Sequence, residues 1–513
     1  MFEEFTPPEK QTYHNTFVRY IYIFTCFLGS LCFVNTLTFG AILYHLYQKI
    51  IGFEKDQKPG LNSSGPYTPR EAYPNLNDMK ATKDLRYYAL QLDLELKEFT
   101  ITTEDGYVLT LHRLIDPKES DEARALKKPV LFQHGLLSCS GAWITPGQNS
   151  LPFYFLEQGY DVWLGNNRSW FEAKHEYYEG NLMHSEKYWD WDMRELAYYD
   201  LPCILTNVLS HKPNHEKLIL IGHSQGCTQT FLMLRNGNLS SYHSKIEYFF
   251  PLAPAIFPGK LFHERAFIKF IHKKGRFAYK LLFGCCSFLR NLCLARYHLA
   301  STSLFGKLSY IMFKFLFGWT GKKWNPNKKV WHFHFVFNVT YVSTKLMNWW
   351  LSYWVEEGFS NQLQSKEAYK TGVEPKKTIE KDDSKTYFPY KEPWFQFSHP
   401  KDVIPMFIFT CDLDFLVDGR RLITHMQHYE RGYYQIGKNL DVIQLDDYSH
   451  LDVVWADDII GRIGMVIEDK IKSIDSNNEK IVSASVDANI DDEKYPIENP
   501  INSSQQPLAV SAN

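Results

Sequence analysis

Apolar positions along this chain change spacing from one region to the next. From Tyr20 to Gln48 there is no Lys, Arg, Asp or Glu. A helix of about 20 apolar residues spans a bilayer core, so this run is long enough to cross a membrane even when tilted. A cleaved signal peptide has a shorter apolar stretch and a small-residue cleavage site, and neither is present. Lys10 and Arg19 precede the run, and Lys49, Lys55 and Lys58 follow it. This slight C-terminal excess favours a cytosolic catalytic domain under the positive-inside rule. Pro59 to Pro74 is rich in Pro, Gly, Asn and Ser and predicts a linker.

Beyond the linker the pattern shortens. Glu98 to Ile115 alternates around Glu104-Asp105-Gly106, which predicts a hairpin. Pro129 to Phe132 and Lys217 to Ile221 are short apolar runs of the kind found in buried parallel strands, and Val403 to Thr410 and Leu440 to Leu445 are weaker ones. Strands alternating with helical stretches predict a mainly parallel sheet with helices on both faces. Ile459, Ile463, Val466, Ile467 and Ile471 share helical spacing and predict a closing C-terminal helix.

Composition then separates the regions. Between Phe257 and Trp350 cations and aromatics are dense and Glu264 is the one acidic residue. A polar insertion follows from about 362 to 385, and from about Ser473 onward the chain is polar and poor in aromatics, which predicts disorder. The formal charge of the whole is -2, so nothing global points to nucleic acid. The 9 cysteines show no zinc-like spacing and read mostly as buried free thiols.

The chemistry concentrates at Gly222-His223-Ser224-Gln225-Gly226, directly after an apolar strand and before the helix-like run Thr228 to Leu234. This is the strand–elbow–helix context in which a G-x-S-x-G serine becomes a nucleophile. A serine hydroxyl needs a base, and the base needs an orienting carboxylate. Asp412, Asp414 and Asp418 follow one predicted strand and His450 follows the next. Both loops thus lie at carboxyl ends of strands, where open α/β sheets carry their sites. Two of the three aspartates are then loop or helix-capping carboxylates. Backbone donors for an oxyanion are expected from Gln225 and from the His134-Gly135-Leu136-Leu137 loop. No metal or organic cofactor is required.

Six blocks in order, TEDGYVL from Thr103, LFQHGLL from Leu131, GYDVWLGNNR from Gly159, DLP from Asp200, GHSQG from Gly222 and HLD from His450, resemble the acid lipase family. That family includes gastric and lysosomal acid lipases and the membrane-anchored steryl ester hydrolases of yeasts. The resemblance implies an α/β-hydrolase fold with an inserted cap and an N-terminal transmembrane helix. It implies Ser224 as nucleophile, His450 as base, Asp414 as the carboxylate within PMFIFTCDLDFLVD (from Pro405), and oxyanion donors on Leu136 and Gln225. The expected organisation is a polar segment at 1–16, an anchor at 17–50, a linker at 51–85, hydrolase core at 86–255 and 395–472, a cap with polar insertion at 256–394, and a disordered tail at 473–513. Anchor and basic cap fit the yeast-type branch, which implies a single-pass protein of the lipid droplet, endoplasmic reticulum or plasma membrane that cleaves steryl esters. Competing readings are a triacylglycerol lipase, an acyltransferase and a catalytically silent lipid-binding protein.

Overall fold

The computed structural model describes residues 11–13, 15–51, 67–168, 170–272, 275–351, 388, 392–397 and 402–476. The linker before Tyr67, the polar insertion at 362–385 and the tail beyond 476 lie outside the described residues.

The expected hairpin forms from β1 (Glu95–Thr102) and β2 (Val108–Ile115), paired antiparallel with Glu95 opposite Ile115. Gly106 turns the chain with φ +86. The remaining strands are β3 (Pro129–Gln133), β4 (Asp161–Gly165), β5 (Leu218–His223), β6 (Ile246–Leu252), β7 (Met406–Cys411) and β8 (Leu440–Leu445). They form one 8-stranded sheet in the order β8-β7-β6-β5-β3-β4-β2-β1. Every pairing from β4 through β3 to β8 is parallel, and β2 runs antiparallel to β4. The central strands β3, β5 and β7 are buried along their whole length, which is why they read as unbroken apolar runs rather than alternating ones. This sheet with its flanking helices is the α/β-hydrolase fold.

Strands β4 and β6 were not expected from periodicity. β4 opens on Asp161, a carboxylate that is 1% exposed. It is held there by Arg113 at 2.8 Å, by the Trp163 indole at 2.9 Å and by Lys212 at 3.1 Å. Paired ions of this kind let a charge enter a strand that pattern alone would exclude. The expected linker also ends early. From Tyr67 the chain packs on the core, with Tyr73 buried and its hydroxyl donating to the carbonyls of Ile144 and Thr145 at 3.2 and 3.0 Å.

Helix α1 (Phe17–Ile50) is 34 residues long, starts at the Thr16 cap and is long and apolar enough to cross a membrane. Helix α2 (Gln225–Arg235) follows β5. Between β6 and β7 the chain leaves the sheet and builds α3 (Ala266–His272), α4 (Arg276–Phe283), α5 (Arg290–Leu299), α6 (Ser303–Phe317), α7 (Lys328–Val336) and α8 (Thr344–Leu351). Residues 465–476 of the C-terminal unit Met465–Asn513 are helical. All 9 cysteines are free thiols, most of them buried.

Candidate active site

Ser224 stands between β5 and α2 with φ +52 and ψ -112, a conformation that L residues rarely adopt. Such strain persists where the surroundings over-determine it. Here the Ser224 N–H donates to the Leu252 carbonyl at 3.0 Å, and its own carbonyl accepts from Cys227 N–H at 3.0 Å. Close approach explains the glycine two residues on. A Cβ at Gly226 would lie 2.5 Å from the Gln133 carbonyl oxygen and 2.8 Å from that of His134.

Asp414 and His450 arrive from two other strands. His450, after β8, places Nε2 2.8 Å from Ser224 Oγ and Nδ1 2.6 Å from Asp414 Oδ2. Asp414, after β7, receives the Leu416 and Val417 N–H groups on its other oxygen at 2.8 and 3.2 Å. Its two neighbours are engaged elsewhere. Asp412 pairs with exposed Arg420 at 3.0 Å, and Asp418 caps the following helix by accepting from Arg421 N–H at 3.0 Å. The structure thus brings Ser224, His450 and Asp414 into one hydrogen-bonded line and leaves Asp412 and Asp418 outside it. Such a line can transfer a proton from a hydroxyl to an imidazole whose cation a carboxylate stabilises.

The Leu136 and Gln225 N–H groups have no backbone acceptor among the described residues. Gln225 is the first residue of α2, where helix geometry leaves the N–H orphaned. Gly135 lets its loop approach Ser224, since a Cβ there would lie 2.9 Å from His223 Nδ1 and 3.1 Å from Ser224 Cβ. Leu137 holds a left-handed φ of +57. The helical region above clamps this loop. Thr340 donates its N–H to Leu137 O at 3.1 Å and its hydroxyl to Ser138 O at 3.2 Å.

Several contributors escaped sequence reasoning. His134 donates from Nδ1 to Gly135 O at 2.8 Å and accepts the Asn167 N–H on Nε2 at 3.2 Å. Burial pushes it down to about 4, so it stays neutral. His223 is held well below the ordinary histidine range by burial and then by His450. Neutral, it donates from Nε2 to the His450 carbonyl at 3.1 Å and steadies the backbone there. Asp452 accepts from Ser449 N–H at 2.6 Å and from Trp324 Nε1 at 2.8 Å, tying the His450 loop to the helical region between β6 and β7. Trp319 stacks on His450 with ring centroids 5.9 Å apart. Trp350 donates from Nε1 to Gln225 Oε1 at 3.0 Å. None of these follows from a local motif. The LFQHGLL, GHSQG and HLD blocks marked only the neighbourhoods.

Ser140, His112 and Glu98 mimic a second relay, with distances of 2.8 and 3.4 Å. Ser140 is fully buried and lines no part of the pocket, so this set is structural. Ser224 and His450 instead face a cavity walled by Leu136, Leu261, Phe313, Phe317, Met347 and Trp350. A concave, mostly apolar chamber with a few convergent polar groups suits a large apolar ligand.

Comparison with known proteins points the same way. Residues 85–147 match the model of a partial alpha/beta-hydrolase lipase region. The chain is 35% identical over 429 residues to Sterol esterase 2 of Saccharomyces cerevisiae, covering 78% of this chain and 74% of that protein. It is 27% identical over 390 residues to a probable lipase of Schizosaccharomyces pombe, covering 74% of this chain and 77% of that protein. It is 35% identical over 196 residues to gastric triacylglycerol lipase of Rattus norvegicus, covering 38% and 47%. The protein is therefore a carboxylic ester hydrolase acting on neutral lipid esters, and it belongs to the acid lipase family of α/β-hydrolases alongside the sterol esterases.

Proposed function

We propose that this protein hydrolyses steryl esters through an acyl-enzyme, with Ser224 as nucleophile, His450 as general base and acid, and Asp414 as the orienting carboxylate. The observation that carries the reading is His450 bridging Ser224 Oγ and Asp414 Oδ2 on the wall of an apolar chamber. Ser224 Oγ attacks the ester carbonyl while its proton passes to His450 Nε2. The Leu136 and Gln225 N–H groups hold the oxyanion. The tetrahedral intermediate expels the sterol oxygen, which takes the proton from His450. Water, deprotonated by the same imidazole, then releases the fatty acid and restores Ser224.

The cap occupies 256–394 and α1 holds the enzyme at a membrane or lipid-droplet surface, with the endoplasmic reticulum and plasma membrane as further sites. The need for such an anchor is physical. Transferring about 16 methylenes into water costs on the order of 13 kcal/mol at ~0.8 kcal/mol each. Substrate is therefore taken directly from lipid. Similarity to Sterol esterase 2 favours the steryl ester. Similarity to gastric triacylglycerol lipase keeps triacylglycerol as the second reading.

The deciding experiment presents purified full-length protein with matched emulsions of labelled steryl ester and labelled triacylglycerol. Faster release of fatty acid from the steryl ester is expected. Rapid triacylglycerol turnover with negligible steryl ester cleavage would replace this reading with the second, and formation of a new ester in place of free acid would make the protein an acyltransferase.

A further inference from the structure

Helix α1 is apolar on every side, yet protein covers only one face. Cys26, Ser30, Val34 and Ala41 are buried and share a side of the helix. The opposite side exposes Phe17, Phe24, Leu28, Phe39, Leu43 and Ile50, from end to end. The covered face meets the rest of the protein from Arg19 to Tyr44. Just before α1, Gln11–Tyr13 pairs as a parallel strand with Tyr178–Gly180 of the core. Arg19 lies 3.5 Å from Glu186, which also pairs with Lys280 of α4 at 2.8 Å. Mid-helix, a Cβ on Gly29 would lie 2.4 Å from the Leu281 carbonyl oxygen of α4, and Phe33 stacks on Phe267 of α3 at 5.9 Å. Near the far end Tyr44 meets Phe315 of α6 at 5.5 Å.

Arg19 and Tyr44 are ~38 Å apart along the axis at ~1.5 Å per residue. A hydrocarbon core is ~30 Å thick. Because these contacts outreach that thickness, a helix crossing the membrane with them intact would need one folded body to reach both faces and would draw α3 and α4, which meet it mid-helix and carry cations such as Lys280, to bilayer depth, where ionised groups are costly. Lying in the plane removes that conflict and gives the exposed face lipid throughout. Charge supports the same placement. Lys314 is held below the ordinary lysine range, first by burial and then by Lys328, Lys322 and Lys49. These ammonium groups gather at the C-terminal end of α1, where an anionic headgroup layer would meet them.

We infer that α1 is an in-plane helix sunk into a single lipid leaflet, with both of its ends on the catalytic side, so that the leaflet holding it also supplies the substrate. This rests on the anchoring reading above and specifies its geometry. The wall between α1 and the chamber is one helix thick. Phe267 faces α1 while Ile268 lines the chamber, and Phe315 faces α1 while Phe313 and Phe317 line it. Lipid beside α1 is thus separated from Ser224 only by α3 and α6. The outer surface of a lipid droplet, a single leaflet over oil, accepts such a helix without a second aqueous side.

The test uses sealed microsomes from cells expressing the full chain with a different epitope tag at each terminus. They are floated, washed with alkaline carbonate, resealed and treated with external protease. Membrane retention with one shared fate for both tags, both removed or both protected, is the expected result. Retention with one tag removed and the other protected overturns the in-plane placement and leaves anchoring intact. Release by carbonate overturns anchoring and this inference together. The untagged full chain should also bind oil droplets coated with a phospholipid monolayer containing anionic lipid, and failure to bind them counts against the inference.

Discussion

The floor and the roof of the chamber are held by different kinds of contact. On the floor, Ser224, Asp414 and His450 sit at the ends of β5, β7 and β8, and main-chain hydrogen bonds fix each loop. On the roof, aromatic side chains do the positioning. Phe317 stacks on Trp319 at 4.4 Å, Trp319 lies on His450, and His334 of α7 stacks on Trp455 at 4.6 Å. The two halves meet at a few polar points, among them Trp350 with Gln225, Thr340 with the Leu137 loop, and Trp324 with Asp452. A backbone-built floor gives tight geometry for one chemistry. A side-chain-built roof gives an adaptable apolar volume, and its few polar ties decide how firmly the two stay in register.

The largest effects should come from the floor. Ser224→Ala is expected to lower turnover on the order of 10⁶-fold while leaving the thermal midpoint within a degree or two. Residual activity near the parental rate would remove Ser224 from the mechanism. Asp414→Asn should cost on the order of 10⁴-fold, because the imidazole loses its orienting charge. Asp412→Asn and Asp418→Asn should change kcat less than about 3-fold, since one ends an exposed ion pair and the other keeps a competent helix cap. A severe loss in Asp412→Asn would show that the acid loop has been misassigned.

The roof–floor joints should respond more mildly. His334, buried and bonded to Thr145 at 2.8 Å, is pushed down to about 3 by burial. Its unfolded value is about 6.5, so the unfolded chain binds the extra proton and stability falls as pH drops below that. Between pH 6.5 and pH 5 this amounts to on the order of 2 kcal/mol. Denaturant unfolding at both pH values should show that His334→Gln is less stable at pH 6.5 but has a shallower loss on acidification. An unchanged slope would mean that another group carries it. Trp350→Phe keeps an aromatic ring and deletes the bond to Gln225, and a roughly 10-fold fall in kcat is expected from one such bond beside the proposed oxyanion site. An unaltered kcat would show that roof and floor act independently.

Legibility followed the same division. The elbow was readable because strand, glycines and helix are adjacent in the chain, and the hairpin and β3, β5, β7 and β8 carried local patterns. Strand β4 was missed because Asp161 breaks the apolar run and needs Arg113 and Lys212 from elsewhere to be tolerated. Residues after Tyr67 read as linker, since their composition is that of a loop while Tyr73 finds its partners on another segment. The roof was visible only as a basic, aromatic composition.

By itself, then, the sequence determined the sheet-bearing hydrolase framework, the serine elbow, the loops that carry Asp414 and His450, and an apolar segment too long to be exposed to water. Tertiary structure alone decided which tryptophans reach Gln225 and His450 and that α1 packs on α3, α4 and α6, while Asp414, singled out in the sequence only by the family resemblance, is the aspartate that turns toward His450. The reason is range. Periodicity and turn chemistry record what a residue does with neighbours a few positions away, whereas these outcomes are set by partners as far apart in the chain as Tyr44 and Phe315.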